Sequence, residues 1–128
     1  MTGDRGQALV LAVLVLALAA VTIVGLEASQ ERILADARER AAGEAAVEAA
    51  GAAVADALLG ATVALDAIAS DPLVIERARA AADGLSAANG SVPARDLTIS
   101  VGAGALDVAL TVGAHRQRVS IGTACCPR

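Results

Sequence analysis

Residues Ala8 to Leu26 read ALVLAVLVLALAAVTIVGL, nineteen positions without a charge and with Thr22 as their one hydroxyl. At 1.5 Å per residue a helix of that length covers about 28 Å, close to the roughly 30 Å hydrocarbon core of a bilayer. A helix buried in a soluble protein keeps a polar side, whereas this stretch is apolar around its whole circumference. The reading is a membrane-spanning helix, and the rest of the chain is interpreted outward from it.

On the N-terminal flank stand Asp4 and Arg5; on the other flank Glu27 and Glu31 precede Arg32. The positive-inside tendency favours a cytoplasmic N-terminus and an exported C-terminal part. A secretory signal peptide is the rival, with Arg5 as its basic region and Ala17-Leu18-Ala19 as a small-x-small cleavage site. Against it, the apolar run continues for seven residues beyond Ala19 without a breaker.

Behind the anchor no proline occurs before Pro72, and Ala, Glu, Arg, Leu and Asp dominate as far as Ser70. Val47, Val54, Leu58, Leu65 and Ile68, with Gly51 and Ala61 between them, fall on one helical stripe. These features predict one continuous helix from about Gln7 to Ala69. Gly25, Gly43, Gly51 and Gly60 each weaken it by up to about 1 kcal/mol relative to Ala and invite a bend. The stripe packs either against the protein's own C-terminal part or, because its small residues allow close approach, against other subunits.

Ser70-Asp71-Pro72 stops and restarts the chain, Asp71 as a cap and Pro72 at the first helical position. A second helix follows, about Pro72 to Ala88, with Leu73, Ile75, Ala78, Ala82 and Leu85 expected inward and Glu76, Arg77 and Arg79 outward. Asn89-Gly90 ends it, and Asn89-Gly90-Ser91 matches a glycosylation sequon by coincidence. Past Pro93 the period becomes two. Leu97, Ile99 and Val101 form one alternating set, and Leu106, Val108, Leu110 and Val112 form another across a Gly102-Ala103-Gly104-Ala105 hairpin turn. A third strand at about Gln117 to Gly122 carries Val119 and Ile121, with His115 and Arg116 in the connection before it. Three short strands with one apolar face need a cover, which the amphipathic helix supplies. The expected class is α+β with an N-terminal anchor and a small antiparallel sheet.

The 128 residues include no Phe, Tyr, Trp or Lys, and the net charge is −4. No basic patch interleaved with aromatics supports nucleic-acid binding. The lone His115, beside Arg116 and Arg118, has no second His or activated Ser to complete a catalytic set, and no glycine-rich phosphate loop is present. Nothing points to an enzyme, a cofactor, a metal or a small-molecule substrate. Cys125 and Cys126 are adjacent and too few for a zinc site by spacing. They remain open between no special role, bridging to another chain and a vicinal disulfide.

Arg5-Gly6-Gln7-Ala8-Leu9-Val10 ahead of the apolar run, followed by the Ala-rich stretch from Ala35 to Ala53 with Arg38 and Arg40, resembles TadE/TadG-like proteins of the tight-adherence (Tad/Flp) pilus systems. More broadly it resembles type IV pilins. The resemblance covers about the N-terminal half of the chain. It implies cleavage by a prepilin peptidase between Gly6 and Gln7, and a role as minor pilin, pseudopilin or assembly factor alongside a secretion ATPase and a membrane platform. Leu11 stands where pilins usually have Glu at the fifth mature position, a departure that argues against a major filament subunit.

The expected organisation is a short leader at 1–6, a membrane helix at 7–26, an amphipathic helix at 27–69, a second helix at 70–90, the sheet at 91–124 and a Cys-Cys tail at 125–128. The expected partners are the lipid bilayer and other pilin-like subunits or the assembly platform. The expected location is a single-pass protein of the bacterial cytoplasmic membrane with its C-terminal domain outside the cytoplasm. Two alternatives stand beside the pilus role: a single-span accessory protein that never enters a filament, and a secreted protein released after Ala19.

Overall fold

The computed structural model describes residues 3–59, 61 and 64–122, with side chains from residue 9 onward. It is α+β: helices α1 (Gly3–Leu59), α2 (Leu65–Ala69) and α3 (Pro72–Ala88), then strands β1 (Arg95–Gly102), β2 (Ala105–Val112) and β3 (His115–Gly122). The chain divides into two units, Met1–Asp36 and Ala37–Arg128.

In the first unit the structure is one helical segment. Side chains from Leu9 to Asp36 are all exposed to their surroundings and make no core. The second unit holds the folded domain. Its three strands form an antiparallel sheet in the order β1-β2-β3. β2 pairs on both sides, with Val108 opposite Ile99 on β1 and opposite Val119 on β3. Period-two alternation therefore sorts the sheet into an inner face, centred on Leu106, Val108, Leu110 and Val112, and an outer face of Thr, Ser, Ala and charged residues. All four inner residues of β2 are fully buried. Two-residue turns join the strands. Gly104 has φ +82°, and Gly113 has φ +57° at the first turn position, where a two-residue hairpin of the II′ kind requires glycine. In β1 one extra residue between Arg95 and Thr98 makes a bulge, with Asp96 at φ +52°.

Ala42, Ala46, Val47, Ala50 and Val54 of α1, Ile68 of α2, and Val74, Ala78 and Ala82 of α3 share one core cluster with the inner sheet face. The aromatic-free composition sets how this core is packed. Without large side chains to span a gap, the helix has to come close to the sheet. A methyl group added at Gly51 would lie 2.9 Å from Cγ1 of Val119, and one at Gly43 would lie 3.1 Å from Cγ of Gln117. The small-residue stripe of α1 therefore packs on the protein's own sheet, the first of the two partners its sequence allowed.

α3 begins and ends as its sequence requires. The Asp71 carboxylate accepts from the Leu73 amide at 2.9 Å, with Pro72 at the first helical position. At the other end Gly90, at φ +67°, donates to the Ala87 carbonyl and Ser91 donates to the Ser86 carbonyl, both at 2.9 Å. That pair of bonds is a Schellman closure. One turn earlier, Oδ1 of Asp83 accepts from the Ala94 amide at 2.9 Å and ties α3 to the approach of β1.

Three sequence expectations change. The helix expected to run to Ala69 ends at Leu59, and α2 starts separately after Ala64, whose ψ of 149° is extended. Gly60 and the β-branched pair Thr62-Val63 fall in that interval and are poor helix formers. On α3 the buried row is Val74, Ala78, Ala82 and Ser86, four residues apart, while Leu73 (63%) and Leu85 (41%) stay exposed. The close-packed core accepts the narrow edge of that helix and leaves its leucines outside. Finally, His115 and Arg116 lie in β3, because the turn is completed by Gly113 and Ala114 alone.

Candidate functional site

The features with functional content are the apolar segment of α1, the outer sheet face and a groove at the junction of the three helices. The apolar segment has a mean hydropathy of 3.0 over its most apolar window, and none of that window is buried within the chain. It is long and apolar enough to cross a membrane. Its large side chains from Leu9 to Leu26 are each between 55% and 70% exposed. Twelve of its nineteen residues are Leu, Val or Ile, worth about −4 to −7 kcal/mol in all on an insertion scale of roughly −0.3 to −0.6 each. The one hydroxyl is satisfied within the helix, since Oγ1 of Thr22 donates to the Ala19 carbonyl at 2.8 Å. Backbone and side chain alike then present no unpaired polar group along this segment, the condition a hydrocarbon environment imposes.

Gly6 and Gln7 lie in α1, close to its start. Cys125 and Cys126 fall outside the described residues. His115 opens β3 and pairs across the turn with Val112, half-buried at the edge of the inner face. Among the described residues, no three of His, Cys, Asp and Glu come together in a way that would hold a metal ion.

The outer sheet face carries charge. Register places Arg95 opposite Thr111 and Thr111 opposite Arg116, so both arginines stand on the same face, and Arg118 joins them one pair along. Nη2 of Arg118 donates to Oδ2 of Asp107 at 2.5 Å. That bond, with a second from Ser120, holds the Asp107 carboxyl below the usual carboxylate range, while Asp107 raises the Arg118 guanidinium in turn. Asp107 is largely covered, with 14% of its side chain exposed, and Arg118 is open at 67%. No sequence signal singled out this pair, because cross-strand neighbours eleven residues apart become partners only once the register is set.

A groove of about 480 Å³ opens where the end of α1, α2 and the start of α3 converge, lined by Asp56, Ala57, Ile68, Asp71, Val74 and Arg77 among others. Leu73 stands at its rim. No local pattern signals it, since it forms only where the ends of three helices come together.

No protein-family model, curated protein or solved structure matches the chain.

Proposed function

We propose that this chain is a structural component or assembly factor of a Tad-type pilus, a minor pilin or pseudopilin anchored in the bacterial cytoplasmic membrane. The observation that carries the reading is the double use of α1. The helix presents an uncharged segment of exposed apolar side chains, and residues further along the same helix supply the core against which a small sheet folds. A lone anchor joined by a loop to an independent domain would not need this continuity. A subunit held by its helix in a membrane or a bundle of like helices does. The sequence from Arg5 to Val10 ahead of that segment supports the same reading through its resemblance to TadE/TadG-like proteins.

In this role the mechanism is packing. The apolar segment holds the subunit in lipid or against neighbouring helices, with the N-terminus cytoplasmic and the sheet-bearing unit outside the cytoplasm. Leu11 in place of an acidic residue means that no carboxylate is available there to offset a neighbour's N-terminal charge, a burial that costs several kcal/mol unpaired. The chain therefore suits a minor position or an assembly step better than the repeating body of a filament.

N-terminal sequencing of the protein recovered from membranes tests the proposal. Gln7 as the first residue supports it. An unprocessed start at Met1 or Thr2 makes the chain a single-span accessory protein. Ala20 as the first residue makes it a secreted protein.

A further inference from the structure

We infer that the outer face of the β1-β2-β3 sheet is a docking surface for the acidic outer stripe of α1 in a second copy of this chain. The inference deepens the pilus reading, and it rests on that reading for a second copy held alongside in the same membrane. The surfaces themselves both belong to the unit from Ala37 to Arg128.

The two surfaces lie on opposite sides of one helix-on-sheet packing. Gly43, Val47, Gly51 and Val54 turn α1 toward the inner sheet face. Glu44, Glu48, Ala52 and Asp56, four residues apart in series, are exposed on the reverse of the helix. Among the described residues none of these three acids is in an ion pair. On the sheet, Arg95, Arg116 and Arg118 project from the outer face against one facing carboxylate, Asp107, which is already bonded to Arg118. A chain of net charge −4 thus carries a locally positive sheet and a locally negative helix stripe. The bulge at Asp96 carries one further acid, next to Arg95 in the chain.

Spacing matches as well as sign. Arg116 and Arg118 are two residues apart on a strand, about 6.6 Å. Glu44 and Glu48 are four apart on a helix, about 6 Å. Beside the arginines the central strand offers Ala109 and Thr111, small side chains over which a helix can lie closely. Edge-to-edge pairing of sheets is the weaker alternative, since the bulge interrupts β1 and charged residues line β3. Because the two patches differ and lie on opposite sides of the domain, the contact is heterologous, and each copy keeps one patch for a further copy. Charge pairing of this type sets register and encounter rate and weakens with salt.

The test uses the full chain in liposomes, with Cys125 and Cys126 replaced by Ser and new cysteines introduced as Ser100→Cys on the outer sheet face and Ala52→Cys on the acidic stripe. Oxidation should give a ladder of disulfide-linked oligomers at low salt that fades at about 1 M salt. Arg116→Glu should lower the ladder about fivefold or more, and adding Glu48→Arg to the same chain should restore it. Circular dichroism of each variant checks that the domain is folded. The inference is overturned if no ladder forms, if Arg116→Glu leaves it unchanged, if the double charge swap fails to restore it, or if a control pair with Leu85→Cys in place of Ser100→Cys links equally well. A ladder from a chain whose N-terminus proves unprocessed would sink the pilus reading and leave the contact standing.

Discussion

The closeness of α1 to the sheet yields a measurable consequence at Gly51. In a helix interior, Gly→Ala gains about 1 kcal/mol from backbone entropy and propensity. Gly84 in α3 shows that gain alone, because an added methyl there meets nothing within 4 Å; Gly84→Ala should stabilise the domain by about 0.5–1 kcal/mol. At Gly51 the same methyl would sit 2.9 Å from Cγ1 of Val119, well inside the roughly 3.5–4.0 Å optimum for carbon pairs. Val119 is β-branched and fixed in a strand paired to Val108, so it has little freedom to retreat. Overpacking costs about 1–3 kcal/mol, which cancels or outweighs the helical gain. Gly51→Ala should therefore be neutral to about 2 kcal/mol destabilising, and less stable than Gly84→Ala by about 1–3 kcal/mol. Val119→Ala should cost less in the Gly51→Ala background than in wild type, a coupling of about 1 kcal/mol. Urea unfolding of the full chain in detergent micelles reads all four variants. The signal must be far-ultraviolet circular dichroism, since the chain has no aromatic residue to fluoresce. Equal stabilisation by the two alanines, or an additive cycle with Val119→Ala, would refute the close-approach account of this core.

Other expected outcomes follow from the anchor, a buried hydroxyl and the sheet's ion pair. Leu16→Arg places a charge near the centre of the apolar segment and shifts insertion by about 3–4 kcal/mol; the carbonate-resistant membrane fraction of the variant should fall below that of wild type. Ser86 is fully buried, and among the described residues its hydroxyl has no hydrogen-bond partner, so Ser86→Ala should leave the urea midpoint unchanged or raise it by up to about 1 kcal/mol equivalent. Asp107 is held below its usual pKa by Arg118 and Ser120. Its contribution is therefore complete at neutral pH and lost as pH falls from the ordinary carboxylate value through the lower folded one. Wild type and Asp107→Asn should differ by a constant amount between pH 7 and 5 and converge in strong acid, and salt should shrink the difference.

Much of the fold can be read directly from local patterns. The uncharged run from Ala8 to Leu26, the Asp71-Pro72 restart, the Asn89-Gly90 stop and the alternation along β2 are each written in a few neighbouring residues. They hold because backbone geometry fixes the helical and strand periods and because proline, glycine and capping carboxylates act on bonds within one turn. The core face of α1 was legible at Val47 and Val54 but not at Ala42, Ala46 and Ala50, which are fully buried. Alanine is common on every face of this chain and marks none. Of the candidate site, the apolar segment was readable in full. The charged sheet face and the groove beside Asp56 and Arg77 were not.

The sequence by itself determined where helix and strand occur and which segment suits lipid, since those depend on residues close together in the chain. Tertiary structure alone decided that the glycine-bearing stripe of α1 meets Val119 and Gln117 of its own sheet. It also decided that α3 turns Val74 and Ser86 inward in place of Leu73 and Leu85, and that Arg118 finds Asp107. Each of those outcomes depends on the distance between elements far apart in sequence. In a core without aromatics that distance is short, so the smallest side chains, which carry the weakest sequence signal, occupy the tightest contacts.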